Sequence, residues 1–203
     1  MILDVCSIVE GQGEVAAVPL LIRRIRPFVK PNVEVNILRP IRVPRHKVIK
    51  QGELERAIDL AMRQSKQPRV LLILLDADDD PPCSFGPELL SRARNTRSDI
   101  PLGVVLANRE FESWFLSSLE SLRNHCGLAE NLQSLNDAEK TRNAKGILSK
   151  NMKNRVYSPV PDQAALTEIF DMKIARQNSD SFDKCWREIE RLLIDGANQI
   201  AQI

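Results

Sequence analysis

Histidine, tyrosine and paired cysteine are scarce in this chain, and each shortage removes a class of chemistry. With only His46 and His125, and four scattered cysteines (Cys6, Cys83, Cys126, Cys185) that form no C-x-x-C pair, the ligand set of a zinc ribbon or finger cannot be assembled. Unpaired cysteines fit a reducing compartment, so a cytoplasmic location is expected. The first residues lack a basic region and a small-residue cleavage site, and no apolar run nears the ~20 residues of a membrane helix. A soluble, unprocessed protein is the expectation. Charge of one sign is lacking too: 29 Lys and Arg stand against 27 Asp and Glu, too even a balance for a polybasic binder, so any nucleic-acid contact must come from local patches. There is no internal repeat and no low-complexity tract. A length of 203 residues accommodates one good core with an extension.

What is present is acid at the ends of apolar strands. Residues 2–9 run into Glu10-Gly11-Gln12-Gly13-Glu14, and Val70–Leu75 runs into Asp76-Ala77-Asp78-Asp79-Asp80. In an open parallel sheet, functional groups gather at the carboxyl ends of strands, so both acidic sets are expected on one edge. Packed carboxylates resist ionising unless a cation lies among them. Oxygen ligands without His or Cys suit Mg²⁺ or Mn²⁺.

The remaining pattern predicts an α/β fold, a Rossmann-like parallel sheet of four strands flanked by helices. Helical spacing covers 15–29, ended by Pro27 and Pro31, and a second strand alternates over 33–38. A helix over 52–66, the apolar strand 70–75, a helix over 86–97 and a strand over 102–107 complete the core. This core is assigned to 1–110, and a helical extension packing on it to 111–203. In the extension, 111–122 is apolar and amphipathic, and 128–152 is polar, helix-prone and weakly periodic. Ser158-Pro159-Val160-Pro161 punctuates the chain before a helix near 163–170. A last helix over 182–201 carries Phe182, Trp186, Ile189, Leu192 and Leu193 on one stripe that needs a partner surface.

Among the acids, Glu10 sits where the first strand ends, and Gly11 and Gly13 let backbone approach whatever occupies that edge. The G-x-G lacks the third glycine of a dinucleotide fingerprint and the Gly-Lys-Ser/Thr of a P-loop. Asp76 and Asp78, two apart on an extended segment, are expected to point to the same side and share a cation. Glu14, Asp80 and Glu112 are second-rank acids. Each has a plainer reading as a first-turn or turn residue. The basic segment 39–50 leaves the second strand on the acidic edge, which makes Arg42, Arg45 and Lys47 candidate phosphate contacts. A second basic stretch, Lys145, Lys150, Lys153 and Arg155, carries less weight, and Lys153 is its candidate contact. Trp114 reads as core, and Tyr157, the sole tyrosine, as an ordinary packed or turn residue.

A strand ending in Glu10-Gly11, a later strand ending in Asp76-x-Asp78 and nearby basic residues resemble the Toprim domain of topoisomerases, primases and overcoming-lysogenization-defect nucleases. More closely, Val9-Glu10-Gly11-x-x-Glu14, Asp76-x-Asp78-x-Asp80, Glu112-x-Trp114, Asp171-x-x-x-Ala175 and Ser181-Phe182 look like a bacterial Toprim-like family classed as a domain of unknown function. The resemblance implies a four-stranded Toprim core that binds Mg²⁺ through Glu10, Asp76 and Asp78. It also implies relatives that cut DNA or RNA in phage defence, often beside an ATPase partner. The expected activity is a metal-dependent nuclease. The alternative is a subunit that binds metal or nucleotide and docks on an ATPase without cutting. A flavodoxin-like module shares the acidic strand ends but fits the Glu10-Gly11-x-Gly13 turn and the basic second loop poorly.

Overall fold

The computed structural model describes residues 2–30 and 34–202. Three strands are buried along nearly their whole length: β1 (Leu3–Val9), β4 (Arg69–Asp76) and β5 (Leu102–Ala107). Such unbroken apolar runs are stable only where helices cover both faces. All pairings are parallel, in the order β2-β1-β4-β5, with β3 also pairing with β1. The expected second strand is split into β2 (Val35–Ile37) and β3 (Ile41–Arg42), which lie along the same edge of β1 opposite Leu3–Val5 and Ile8–Val9. Pro40, which has no N–H for the ladder, sits in the break. The sheet therefore counts five strands in four rows. Pro31 and Val33, part of the expected helix stop and strand, lie outside the described residues.

Helix α1 (Glu14–Ile25) runs on into a 3₁₀ turn at Arg26–Phe28. The basic segment expected as a loop holds β3 and the short helix α2 (Arg45–Val48). Helices α3 (Glu53–Arg63) and α4 (Pro82–Thr96) cover one sheet face, packing on Cys6, Ile8, Leu71, Ile73, Leu75 and Val104. Helix α4 begins four residues before the expected start because Pro82 occupies its first turn, where a missing N–H costs nothing.

The opposite face, with Leu3, Val5, Val70, Leu72, Leu74 and Val105, is covered by α1 and by the long C-terminal helix, which runs Asp180–Ala201. The partner surface of its apolar stripe is thus the sheet itself. A Cβ on Gly196 would overlap Leu3 and Val70, so this helix lies closer to the sheet than any side chain there would permit.

The segment between β5 and that helix departs most from expectation. Residues 111–122 form only α5 (Ser113–Leu116) and a 3₁₀ turn, both buried. The stretch 128–152 is largely irregular, with a single bridge between Leu128 and Met152, a 3₁₀ turn at Ala138–Lys140, and α6 (Ala144–Lys150). The proline run 159–161 opens α7 (Pro159–Ile169) rather than preceding a helix. An unforeseen helix α8 (Met172–Asn178) follows, with the Asp171 carboxylate accepting from the Lys173 and Ile174 amides. Ser179 then caps the last helix, α9, by accepting from Phe182 N. Phe111, Trp114, Phe115, Phe170 and Phe182 pack in tilted and edge-to-face pairs with ring centroids 4.6 to 5.6 Å apart, which ties this segment into the core. Among the described residues no helix is long and apolar enough to cross a membrane.

Candidate functional site

The carboxyl ends of β1, β4 and β5 deliver acids to one place. Asp76 is the last residue of β4, and its Oδ1 accepts from the Phe111 amide at 2.8 Å. Glu14 opens α1 and turns back, so that its Oε2 accepts from the Glu10 amide at 2.9 Å. Glu112, in the turn after β5, is fully buried. Its Oε1 accepts from the Tyr157 hydroxyl at 2.9 Å, with Gln163 Nε2 at 3.5 Å. Close approach of α7 makes this possible: a Cβ on Gly13 would overlap Gln163 and the Pro159 carbonyl.

The electrostatics follow from burial without enough cations. Burial, then the charges of Glu14 and Glu112, push Asp76 well above the usual carboxylate range, and Lys145 only partly offsets them. Glu14 is raised from 4.5 to about 7, first by burial and then by Glu10 and Glu112, against the pull of the Gly11 and Glu10 amides. Glu10 is raised by burial and by Asp78, eased by Arg45 and the Asp76 amide. Glu112 is raised by burial in spite of Lys145 and Tyr157. Three carboxylates surround one ammonium: Lys145 Nζ lies 3.5 Å from Glu112, 3.6 Å from Glu110 and 4.0 Å from Asp76. Burial works against the Lys145 charge, but Glu112, Asp76 and Glu110 together hold it firmly protonated. Two buried carboxylate oxygens, Glu10 Oε2 and Glu112 Oε2, accept no hydrogen bond. Such atoms are costly unless something positive reaches them.

The Asp76-x-Asp78 expectation needs correcting in its geometry. Alternation carries two carboxylates to one side only while the backbone stays extended. Asp78 instead adopts φ +51° and its amide donates to the Arg109 carbonyl at 2.9 Å, so the strand has ended. Its side chain is exposed and lies 3.4 Å from Arg45 Nε. Asp80, also exposed, pairs with Arg45 as well. Arg45 further donates to the Asp76 carbonyl at 2.6 Å and stacks over Phe85 with its guanidinium carbon 4.6 Å from the ring centre. The basic segment therefore does reach the acidic edge: Arg45 binds there, and Arg42 Nε donates to the Glu10 carbonyl at 3.2 Å. Lys47 is exposed on α2. Lys153 is placed elsewhere, with its ammonium 3.4 Å from Asn124 Oδ1.

Sequence reasoning gives Lys145 little weight and reads Tyr157 as packing. Neither carries a local signal, because their partner Glu112 is brought to them only by the irregular chain path between residues 122 and 159. Burial and the Glu112 charge raise the Tyr157 hydroxyl far above its usual value, which fixes it as a neutral donor and removes it from consideration as a nucleophile. Trp114 is core, its indole N–H donating to Ser181 Oγ at 2.8 Å.

A divalent cation suits this donor set. The residues are hard oxygen ligands, two of their buried atoms lack partners, and their mutual repulsion is relieved by positive charge. As they stand, no three His, Cys, Asp or Glu side chains among the described residues converge into a ready ligand group. No curated protein and no solved structure matches the chain. Residues 9–190, which carry every acid of the pocket, match one family, and the chain belongs to it: the family described as a domain of unknown function, DUF4276.

Proposed function

We propose that this protein is a Mg²⁺-dependent phosphodiesterase of the Toprim type that acts on DNA or RNA in the cytoplasm, as relatives in phage defence do. The observation that carries this reading is the buried carboxylate pocket at the carboxyl edge of the sheet, with two unpartnered oxygens and arginines at its rim. Glu10, Asp76 and Glu112 are the residues that would hold the cation, with Glu14 behind them. Asp78 and Asp80 would be free to join if Arg45 turned to a substrate phosphate. The cation, when bound, would supply Lewis-acid polarisation of a phosphoryl oxygen.

The protein's own groups have separable roles. The Phe111 amide and the Tyr157 hydroxyl fix the orientation of Asp76 and Glu112. Lys145 keeps a proton within 3.5 to 4.0 Å of three carboxylates and stabilises added negative charge. Arg42 and Arg45 stand where the phosphates flanking the reacting one would approach. The pairing of Arg45 with both Asp78 and Asp80 favours a second reading, a non-cutting metal- or nucleotide-binding subunit docked on an ATPase partner, because in that role these aspartates need never be released.

Calorimetry with Mn²⁺ and Mg²⁺, followed by cleavage assays on single- and double-stranded DNA and RNA with and without an ATPase encoded nearby, separates the two. Cation binding lost in Asp76→Asn, together with metal-stimulated cleavage, is the expected result. Cation binding with no cleavage under any condition supports the subunit reading, and no cation binding by the wild type overturns both.

A further inference from the structure

Beside the carboxylate pocket, flanked by Asp78 and Glu110, lies a cleft of about 160 Å³ lined by Asp78, Asp79, Arg109, Glu110, Arg142 and Asn143. Two guanidinium groups from distant parts of the chain close there on one exposed carboxylate. Arg109 Nη1 is 2.8 Å from Asp79 Oδ1, and Arg142 places Nη2 3.0 Å from Oδ1 and Nη1 3.3 Å from Oδ2. The Asp79 side chain is 68% exposed and that of Arg142 72%, so these ion pairs contribute little to stability. Yet the backbone is bent to make them. Six non-glycine residues have a positive φ among those described, and three of them, Asp78, Arg109 and Asn143, line this one cleft. Conformations of that kind persist where surroundings enforce them, and they concentrate at binding sites.

A clamp of two planar guanidinium groups on a pair of oxygens matches the non-bridging oxygens of a phosphodiester as well as it matches a carboxylate. We propose that Arg109 and Arg142 form a subsite for a non-reacting phosphate of the nucleic-acid strand, and that Asp79 occupies this subsite as a built-in competitor until a strand displaces it. The proposal rests on the phosphodiesterase reading and adds to it two contacts, on the β5 side of the edge, opposite the Arg42 and Arg45 side. Neither arginine belongs to the basic segments that the sequence singles out.

Binding in chelator isolates this subsite, since it needs neither a cation nor bond cleavage. The probe is a short fluorescein-labelled single-stranded DNA, with an RNA of the same sequence run in parallel, followed by anisotropy over a salt series. Asp79→Asn is expected to tighten binding severalfold, an outcome that misfolding cannot mimic. Arg109→Gln/Arg142→Gln is expected to weaken binding about tenfold and to lower the salt slope by about 2, one unit per lost phosphate contact. Whichever strand shows this dependence is the source of the phosphate. Unchanged or weaker binding in Asp79→Asn, a wild-type salt slope in the glutamine pair, or no binding of either strand would overturn the proposal. The two readings fail separately. Arginine-dependent binding by a protein that never cuts refutes hydrolysis alone, whereas cleavage with a wild-type salt slope in the glutamine pair refutes the subsite alone.

Discussion

Two sets of acids lie within a few residues of each other on this sheet edge, and they are handled in opposite ways. Glu14, Asp76 and Glu112 are buried around a single lysine, and burial drives all three pKa values up. Asp78, Asp79 and Asp80 are exposed, and each is paired with arginine. In the first set the fold has left negative charge short of partners, which only a positive ligand or protons can make good. In the second the charge is already neutralised and solvated, so little is gained from a ligand that does not first displace an arginine. One strand end thus divides into a site under electrostatic tension and a site at rest.

The sharpest way to break this contrast is by substitution on each side. Asp76→Asn should abolish cation binding and lower any cleavage rate by about 10³-fold, as expected when a group fixing the charge that stabilises the transition state is removed. Asp78→Asn should cost only about tenfold, measured in the same calorimetric and cleavage assays. Equal losses would show that the cation depends on the exposed set no less than on the buried one.

The pH dependence of stability sharpens the contrast further. Glu14 has a folded pKa of about 7 against an ordinary value of 4.5, so between these values the folded state binds more protons than the unfolded one. Its contribution to stability is then fully present below about pH 4.5 and falls as pH rises through 7, by roughly 3 kcal/mol from this one group. Asp76 is raised as well and acts with the same sign. Urea denaturation of metal-free protein should show this loss, and saturating Mg²⁺ should remove most of it. A flat profile would mean the buried acids carry no such tension.

Tyr157→Phe leaves Glu112 Oε1 without its main donor and should destabilise the protein by about 1.5 to 3 kcal/mol, the range for a buried hydrogen bond to a charged group. Removing the exposed ion pair with Asp80→Asn should change stability by less than about 1 kcal/mol. Denaturant midpoints of the two variants, compared at one pH, test both. A larger cost for Asp80→Asn would place a structural role on the exposed side.

The sheet is largely legible in the amino-acid sequence, because β1, β4 and β5 are apolar along their length and only a doubly covered parallel strand uses such a run. The apolar stripe of α9 signals its need for a surface in the same way. The site is legible in part. Acids at strand ends are a local signal, and Glu10, Asp76 and Glu112 can be named from it. The outward turn of Asp78 cannot, since a single positive φ in a polar string leaves no periodic trace. Lys145 lies in a segment whose course is set by buried contacts such as the Asn151 carbonyl accepting from the Ala129 amide. Pairings of that kind are invisible to any window of sequence. The role of Tyr157 is hidden for the same reason, 45 residues from the carboxylate it serves.

The seat that Gly13 makes for α7 has a consequence for biosynthesis. Pro159 and Gln163 must have been translated before the turn that follows β1 acquires its cover, and Tyr157 before Glu112 acquires its donor. A nascent chain bearing every carboxylate through residue 112 therefore still lacks the assembled pocket. If the protein does cut nucleic acid, the ribosome that makes it is shielded from that activity until more than three quarters of the chain has been added. Ribosome-stalled chains ending before and after α7, compared for Mn²⁺ binding, are expected to differ, with binding appearing only in the longer ones.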